Sequence, residues 1–233
     1  GMTMSASTQL IVALDVNTSA EGLALVDRIG DACTWYKVGK QLFTRYGPDM
    51  VRQLKDRGKK VFLDLKFHDI PNTVREAVRS AAAVGADMTN VHAAGGAAML
   101  AADAEGAQES DVLLIAVTVL TSMDEAELAG VGITASPREQ VVRLAQLTQG
   151  NGVPGVVCSA LEIEPLRQVC GSDFVLVVPG IRPSGSSTDD QKRVMTPGQA
   201  AEQGADFIVV GRPIRCADDP AAAARAIVAE LAG

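Results

Sequence analysis

Within the stretch DLKFHDIPNTV (64–74), two carboxylates, an ammonium and an imidazole fall between Asp64 and Asp69. Asp64 and Lys66 are two apart, so on an extended strand their side chains leave the same face. Asp69 lies just before Pro71, a residue suited to the first turn of a helix. Opposite charges set side by side favour the ionised form of each partner. An ammonium held charged in this way can stabilise negative charge developing on a substrate, or deliver a proton to it. The alternative is an ion-pair cluster that only decorates the rim of the fold. Burying charges is a poor route to stability, which favours a site.

Such side chains need a scaffold that gathers distant segments at one end. Short β-branched runs alternate with Ala-rich amphipathic stretches. Strands are expected at 9–16, 35–40, 60–67, 88–93, 111–120, 155–160, 174–180 and 206–212, each followed by a helical pattern. Thr18 or Ser19 caps the first helix, the third opens near Pro71, and the last follows Pro220. These units predict a single-domain α/β protein, a (β/α)8 TIM barrel over 9–233, with a disordered tail over 1–8. An open doubly wound sheet is the other arrangement, but no GxGxxG follows the first strand.

In a barrel of this kind, active sites lie at the C-terminal ends of the strands. Asp15 ends strand one, Lys37 lies in strand two, and Asp64 and Lys66 end strand three. His92 ends strand four, where a hydrogen-bonded rim histidine is an equal reading, and Asn90 in the same strand is a weaker candidate. His68 has no recognisable orienting partner and reads as a surface or packing residue. Strand seven runs into PGIRPSGSSTDDQKR (179–193), a long Gly/Ser loop with Arg182 at its base, and strand eight ends in VVGRPI with Gly211 and Arg212. Loops after strands seven and eight commonly hold a phosphate, glycine admitting backbone N–H groups and arginine offering a planar fork.

Composition narrows the partners. A net charge of −7 and 3% aromatic residues argue against nucleic acid, while an acidic average still allows a locally positive pocket. Cys33, Cys158, Cys170 and Cys216 form no CxxC pair and read as reduced thiols of a cytoplasmic protein. Neither His68 nor His92 shares metal-ligand spacing with them, so no metal is expected. GMTMSASTQ lacks the basic and apolar regions of a signal peptide, and Gly1 before Met2 looks like an expression scar. No apolar run approaches the roughly 20 residues of a membrane helix.

Taken together, DLKFHDIPNTV, the upstream LDV and YKVGKQLF and the downstream VTVLTSM, VVCSA, PGIRP and VVGRPI resemble orotidine 5′-phosphate decarboxylase of the bacterial type, over nearly the whole chain. The resemblance implies conversion of orotidine 5′-monophosphate to uridine 5′-monophosphate and carbon dioxide, the last step of pyrimidine nucleotide synthesis, without metal or organic cofactor. It implies a homodimer with shared sites and an alternating tetrad of Lys37, Asp64, Lys66 and Asp69, with Asp69 donated by the other subunit. Lys66 would be the proton donor. Asp15 and Lys37 would meet the ribose, and Thr121 and Ser122 the pyrimidine. Arg182, Gln191, Gly211 and Arg212 would grip the phosphate, Gln191 arriving on a closing loop. Thr73 would cross to the partner's site, and Ile70 is counted with the substrate-binding residues. Three alternatives stay open: a magnesium-dependent sugar-phosphate decarboxylase or aldolase sharing the DxKxxD core, a Schiff-base aldolase using Lys66 or Lys37, and a catalytically silent nucleotide-binding barrel.

Overall fold

Eight parallel strands close on themselves in chain order, the last pairing back onto the first. They are β1 (Gln9–Ala13), β2 (Trp35–Gly39), β3 (Lys60–Phe67), β4 (Met88–His92), β5 (Leu113–Val117), β6 (Gly155–Val157), β7 (Val175–Pro179) and β8 (Phe207–Val210). Around them run α1 (Ser19–Ile29), α2 (Lys40–Tyr46), α3 (Pro48–Asp56), α4 (Pro71–Ala83), α5 (Ala97–Ala107), α6 (Glu125–Gly130), α7 (Pro137–Gly150), α8 (Ile163–Cys170), α9 (Pro197–Gln203), α10 (Arg212–Arg215) and α11 (Pro220–Leu231). This is the expected (β/α)8 barrel, seen in a computed structural model that describes residues 7–183 and 194–233. Of the expected tail over 1–8, residues 1–6 lie outside the described chain. Thr8 is not free, because its Oγ1 donates to the carbonyl of Ala205 at 2.6 Å.

Local rules set the helix starts. Thr18, not Ser19, caps α1, its Oγ1 accepting the N–H of Glu21 at 3.1 Å. Pro71 opens α4, and Ile70 before it is held extended at φ −61°, ψ 149° by the clash that a following proline ring imposes. Pro220 opens α11 behind its cap, Asp219. The unit after β2 holds two helices where one pattern was expected. Gly47, at φ +64°, ends α2 and Pro48 restarts the chain as α3. Several ladders are shorter than their apolar runs. The fifth, expected over 111–120, pairs only over Leu113–Val117; Thr118 then donates to the Val157 carbonyl at 3.2 Å and the chain leaves the sheet.

Alternation sorts each strand into two layers. Leu10 and Val12, Tyr36 and Val38, Val61 and Leu63, and Ile208 and Val210 face outward into the large core beneath the helices. Ile11, Ala13, Trp35, Phe62, Met88, Ile115, Val177, Phe207 and Val209 form a separate cluster inside the barrel. Trp35 meets Phe207 edge-on at 5.3 Å, so the interior is a packed plug rather than a pore. Continuing the inward positions of β2, β3 and β4 upward reaches Lys37, Asp64 and Asn90. The same periodicity that builds the apolar floor thus delivers polar groups to the top of it.

Charges at the bottom have a different task. Asp87 Oδ2 accepts the N–H of Val61 at 2.8 Å and pairs with Lys55, also at 2.8 Å. Asp206 Oδ2 accepts the N–H of Leu176 at 2.8 Å and pairs with Arg167 at 2.8 Å. Both carboxylates pin a neighbouring strand and a surrounding helix to their own turn.

One acid in α5 has no such partner. Asp103 is fully buried, and neither carboxyl oxygen finds a hydrogen bond among the described residues. Burial raises its pKa from 3.8 to about 7. The folded state therefore holds a proton that the unfolded state releases, and stability falls as pH rises from 3.8 to about 7. Asp103→Asn, a neutral isostere, is expected to remove that decline and to stabilise the fold by ~2 kcal/mol at about pH 8. Urea unfolding near pH 5 and pH 8 checks this. An unchanged pH slope in the variant would show that Asp103 ionises normally.

Candidate functional site

A cavity of about 340 Å³ opens where the strands end. Its lower wall is apolar, with Ala13, Phe62, Val117, Val157, Val177 and Val209. Its polar lining is Asp15, Lys37, Asp64, Lys66, Asn90 and Thr121, with Gly211 at the end of β8. Cys158 also lines it, and burial pushes that thiol up, away from reactive thiolate.

The charges form a chain of alternating sign. Asp15 stands 3.5 Å from Lys37, Lys37 stands 3.2 Å from Asp64, and Asp64 stands 2.7 Å from Lys66. Side-chain exposure is 57% for Asp15 but only 9% for Asp64, so the chain runs from water into the protein and Asp64 is its buried link. Burial alone would raise the Asp64 carboxyl. Lys37, Lys66 and the Asn90 amide outweigh it and hold the group below the ordinary carboxylate value. Two lysine ammonium groups therefore share one carboxylate whose ionised form they favour.

Asp64 and Lys66 do meet, as their spacing predicts, but not through regular alternation. β3 and β4 are in step at Leu63–Thr89, and the next pairing is Phe67–Val91. Four residues of β3 advance against two of β4, so β3 bulges. Within the bulge Lys66 adopts φ +51°, alone among the described non-glycine residues in having positive φ. The left-handed region is unfavourable for a residue with a Cβ. Asn90 offsets the lost ladder bond: its Oδ1 accepts the Lys66 N–H at 2.9 Å, and its Nδ2 donates to Asp64 Oδ1 at 2.8 Å. From sequence, Asn90 is only a weak candidate. The available signal was its inward register, two residues above Met88, the same relation that Asp64 has to Phe62.

The remaining expected site residues divide. Asp69, Ile70 and Thr73 are exposed and do not line this cavity. Asp69 Oδ1 accepts the N–H of Ile70 at 2.7 Å, and the residue forms no ion pair among the described residues. Arg182 follows β7, with its N–H bonded to the Met195 carbonyl at 3.2 Å, and Arg212 begins α10 just after β8. Neither these arginines nor Ser122 are part of the cavity wall. Gln191 lies outside the described residues. His68 is exposed, and its ring lies tilted against that of His92 with centroids 5.6 Å apart. Burial, His68, Lys40 and Lys66 together depress the His92 pKa. No three His, Cys, Asp or Glu side chains gather as metal ligands among the described residues.

The orotidine 5′-phosphate decarboxylase / HUMPS family model matches residues 8–227. An orotidine 5′-phosphate decarboxylase from Vibrio parahaemolyticus is 53% identical over 227 residues, covering 96% of this chain and 97% of its own. One from Actinobacillus succinogenes is 54% identical over 229 residues, covering 97% and 98%. Among solved structures, orotidine 5′-phosphate decarboxylase from Lactobacillus acidophilus superposes with a TM-score of 0.87 at 39% identity, covering 97% of this chain and all (100%) of its own. An uncharacterised conserved protein from Geobacillus kaustophilus gives 0.84 at 37%, covering 95% and 99%.

The left-handed backbone at position 66 makes a prediction independent of any reaction. Lys66→Gly is expected to be more stable than Lys66→Ala by about 1 kcal/mol, the reverse of the usual order, because only glycine adopts this φ freely. Urea unfolding of the two variants decides it. Alanine the more stable would mean that the bulge relaxes to ordinary strand.

Proposed function

Because the chain belongs to the orotidine 5′-phosphate decarboxylase / HUMPS family, we propose that its Asp64–Lys66 pair drives loss of carbon dioxide from a bound nucleotide. The reaction converts orotidine 5′-monophosphate to uridine 5′-monophosphate in pyrimidine biosynthesis. The carrying observation is an ammonium 2.7 Å from an ionised, buried carboxylate above an apolar floor.

The bond from C6 of the pyrimidine to its carboxylate breaks, carbon dioxide leaves, and the electron pair stays on C6. Nothing on the ring delocalises that pair well, so preorganised charge must stabilise it. The Lys66 ammonium stands beside C6 and then gives it a proton. The resulting neutral amine recovers a proton from water. Asp64 holds Lys66 charged and aimed, and Lys37 keeps Asp64 ionised while reaching with Asp15 toward the ribose. Thr121 and Ser122 meet the pyrimidine. Arg182, Gly211 and Arg212, with Gln191, take the phosphate. Support for this comes from the barrel order, since β7 and β8 are neighbours and each is followed by one of the two arginines. Binding energy from the distant phosphate can be expressed at the reacting carbon.

Asp69, Ile70 and Thr73 serve the site of a second copy in a homodimer. Supporting this, Asp69 has no ion pair within its own chain's described residues, and Ile70 is 66% exposed beside it. The cytoplasm suits the protein: its four cysteines are free, and no described helix is long and apolar enough to cross a membrane. The magnesium-dependent sugar-phosphate reading has less support, because both relatives described above, each more than 50% identical, carry the orotidine 5′-phosphate decarboxylase name.

Loss of orotidine 5′-monophosphate absorbance is expected with purified protein, unaffected by EDTA. Lys66→Ala is expected to abolish it while uridine 5′-monophosphate still binds. Dependence on a divalent cation would move the assignment to the sugar-phosphate enzymes, and near-normal turnover in the variant would remove Lys66 from the mechanism. Mixing Lys66→Ala with Asp69→Ala protein is expected to restore activity, since one site of each heterodimer regains both native residues. Absence of rescue despite demonstrated subunit exchange would refute the shared site.

A further inference from the structure

Asn90 is 1% exposed, and its amide is committed on both sides. Nδ2 donates to Asp64 Oδ1 at 2.8 Å, the oxygen that also receives the Lys66 ammonium at 2.7 Å. Oδ1 accepts the backbone N–H of Lys66 at 2.9 Å. The orientation of the amide is forced by these partners. Rotating it by half a turn would set oxygen against carboxylate and NH2 against N–H. One neutral side chain thus touches both members of the reacting pair, one through its side chain and the other through its backbone.

We infer that Asn90 is a positioning residue for the decarboxylation, fixing the rotation of the Asp64 carboxylate and the left-handed backbone from which Lys66 presents its ammonium. The inference rests on the reading that Lys66 delivers the proton. The Lys66 φ of +51° persists only where surrounding contacts over-determine it. In the bulge, the ladder does not do this between Leu63 and Phe67, and the Asn90 carbonyl oxygen replaces it. Without the amide donor, Asp64 keeps only its two lysines, both on flexible stems. The role needs a donor and an acceptor on one short, uncharged side chain. Aspartate matches the shape, but when ionised it sets a carboxylate against Asp64 at hydrogen-bond distance.

That mismatch supplies the test. Wild type, Asn90→Ala and Asn90→Asp are compared by kcat across pH, affinity for uridine 5′-monophosphate and thermal midpoint. Asn90→Ala is expected to lose about 10²-fold in kcat, the scale of a misplacement near 1 Å. Its product affinity is expected to stay within roughly threefold of wild type, because ground-state contacts survive. In Asn90→Asp, the introduced carboxyl while protonated reproduces both hydrogen bonds. Once ionised, it repels Asp64. Its kcat is therefore expected to fall as pH rises, along a limb absent from wild type and centred above the ordinary carboxylate value. Near-wild-type kcat in Asn90→Ala overturns the inference. So does parallel loss of kcat, product affinity and thermal midpoint, which marks a merely structural residue. A pH-independent deficit in Asn90→Asp overturns it too, and this isosteric variant decides alone if the alanine variant does not fold. Failure of the underlying reading is distinguishable: it appears as an inactive wild type or as an active Lys66→Ala.

Discussion

A carboxylate buried to the depth of Asp64 cannot stay ionised unaided, and the upper half of the barrel is arranged around that constraint. Lys37 approaches from β2, Lys66 from its own strand and Asn90 from β4, so three adjacent strands converge on two oxygens. Each partner is necessary in a specific sense. Removing one leaves the buried carboxylate with fewer groups to offset its lost hydration. Stability alone is a poor account of such a cluster, because well-packed apolar residues would fill the same space at lower cost. The bottom of the barrel offers the contrast. There Asp87 and Asp206 sit near water, accept backbone N–H groups and staple neighbouring segments.

The second dependence is backbone shape. A regular β3 would carry Lys66 along an unbroken ladder with β4. The bulge breaks the ladder and turns Lys66 into the left-handed region, where its ammonium folds back onto Asp64. Strain of this kind is retained only when neighbours enforce it, and it commonly accompanies chemistry. A further local constraint acts four residues on. Pro71 forces Ile70 to be extended and starts α4 at once, which leaves Asp69 and Ile70 displayed at the surface.

Much of this was legible in the residues themselves. Eight β-branched runs became eight strands, and position at or near the C-terminal ends of those runs marks Lys37 and Asp64. Strand ends were overestimated because apolar runs continue into the loops at the mouth, where Val119 and Leu120 line the cavity without belonging to a ladder. The bulge has no local marker: LDLKF reads as regular strand, and its departure is visible only against β4. Asn90 was ranked low because an asparagine advertises no charge, and its value comes from two partners 24 and 26 residues away in the chain. Asp69 shows the opposite limit. Its motif is plain, yet among the described residues of one copy its carboxylate accepts the next residue's N–H and forms no ion pair, so its proposed task belongs to an assembly.

The packed interior also governs traffic. Ile11, Trp35, Phe62, Met88, Ile115 and Phe207 fill the barrel beneath the cavity, so among the described residues the site is a well rather than a tunnel. Nucleotide and gas must then use the same opening, and nothing can be flushed through from behind. The lower wall of that well is apolar, with Val117, Val157, Val177 and Val209, so a small apolar product would meet no polar group there.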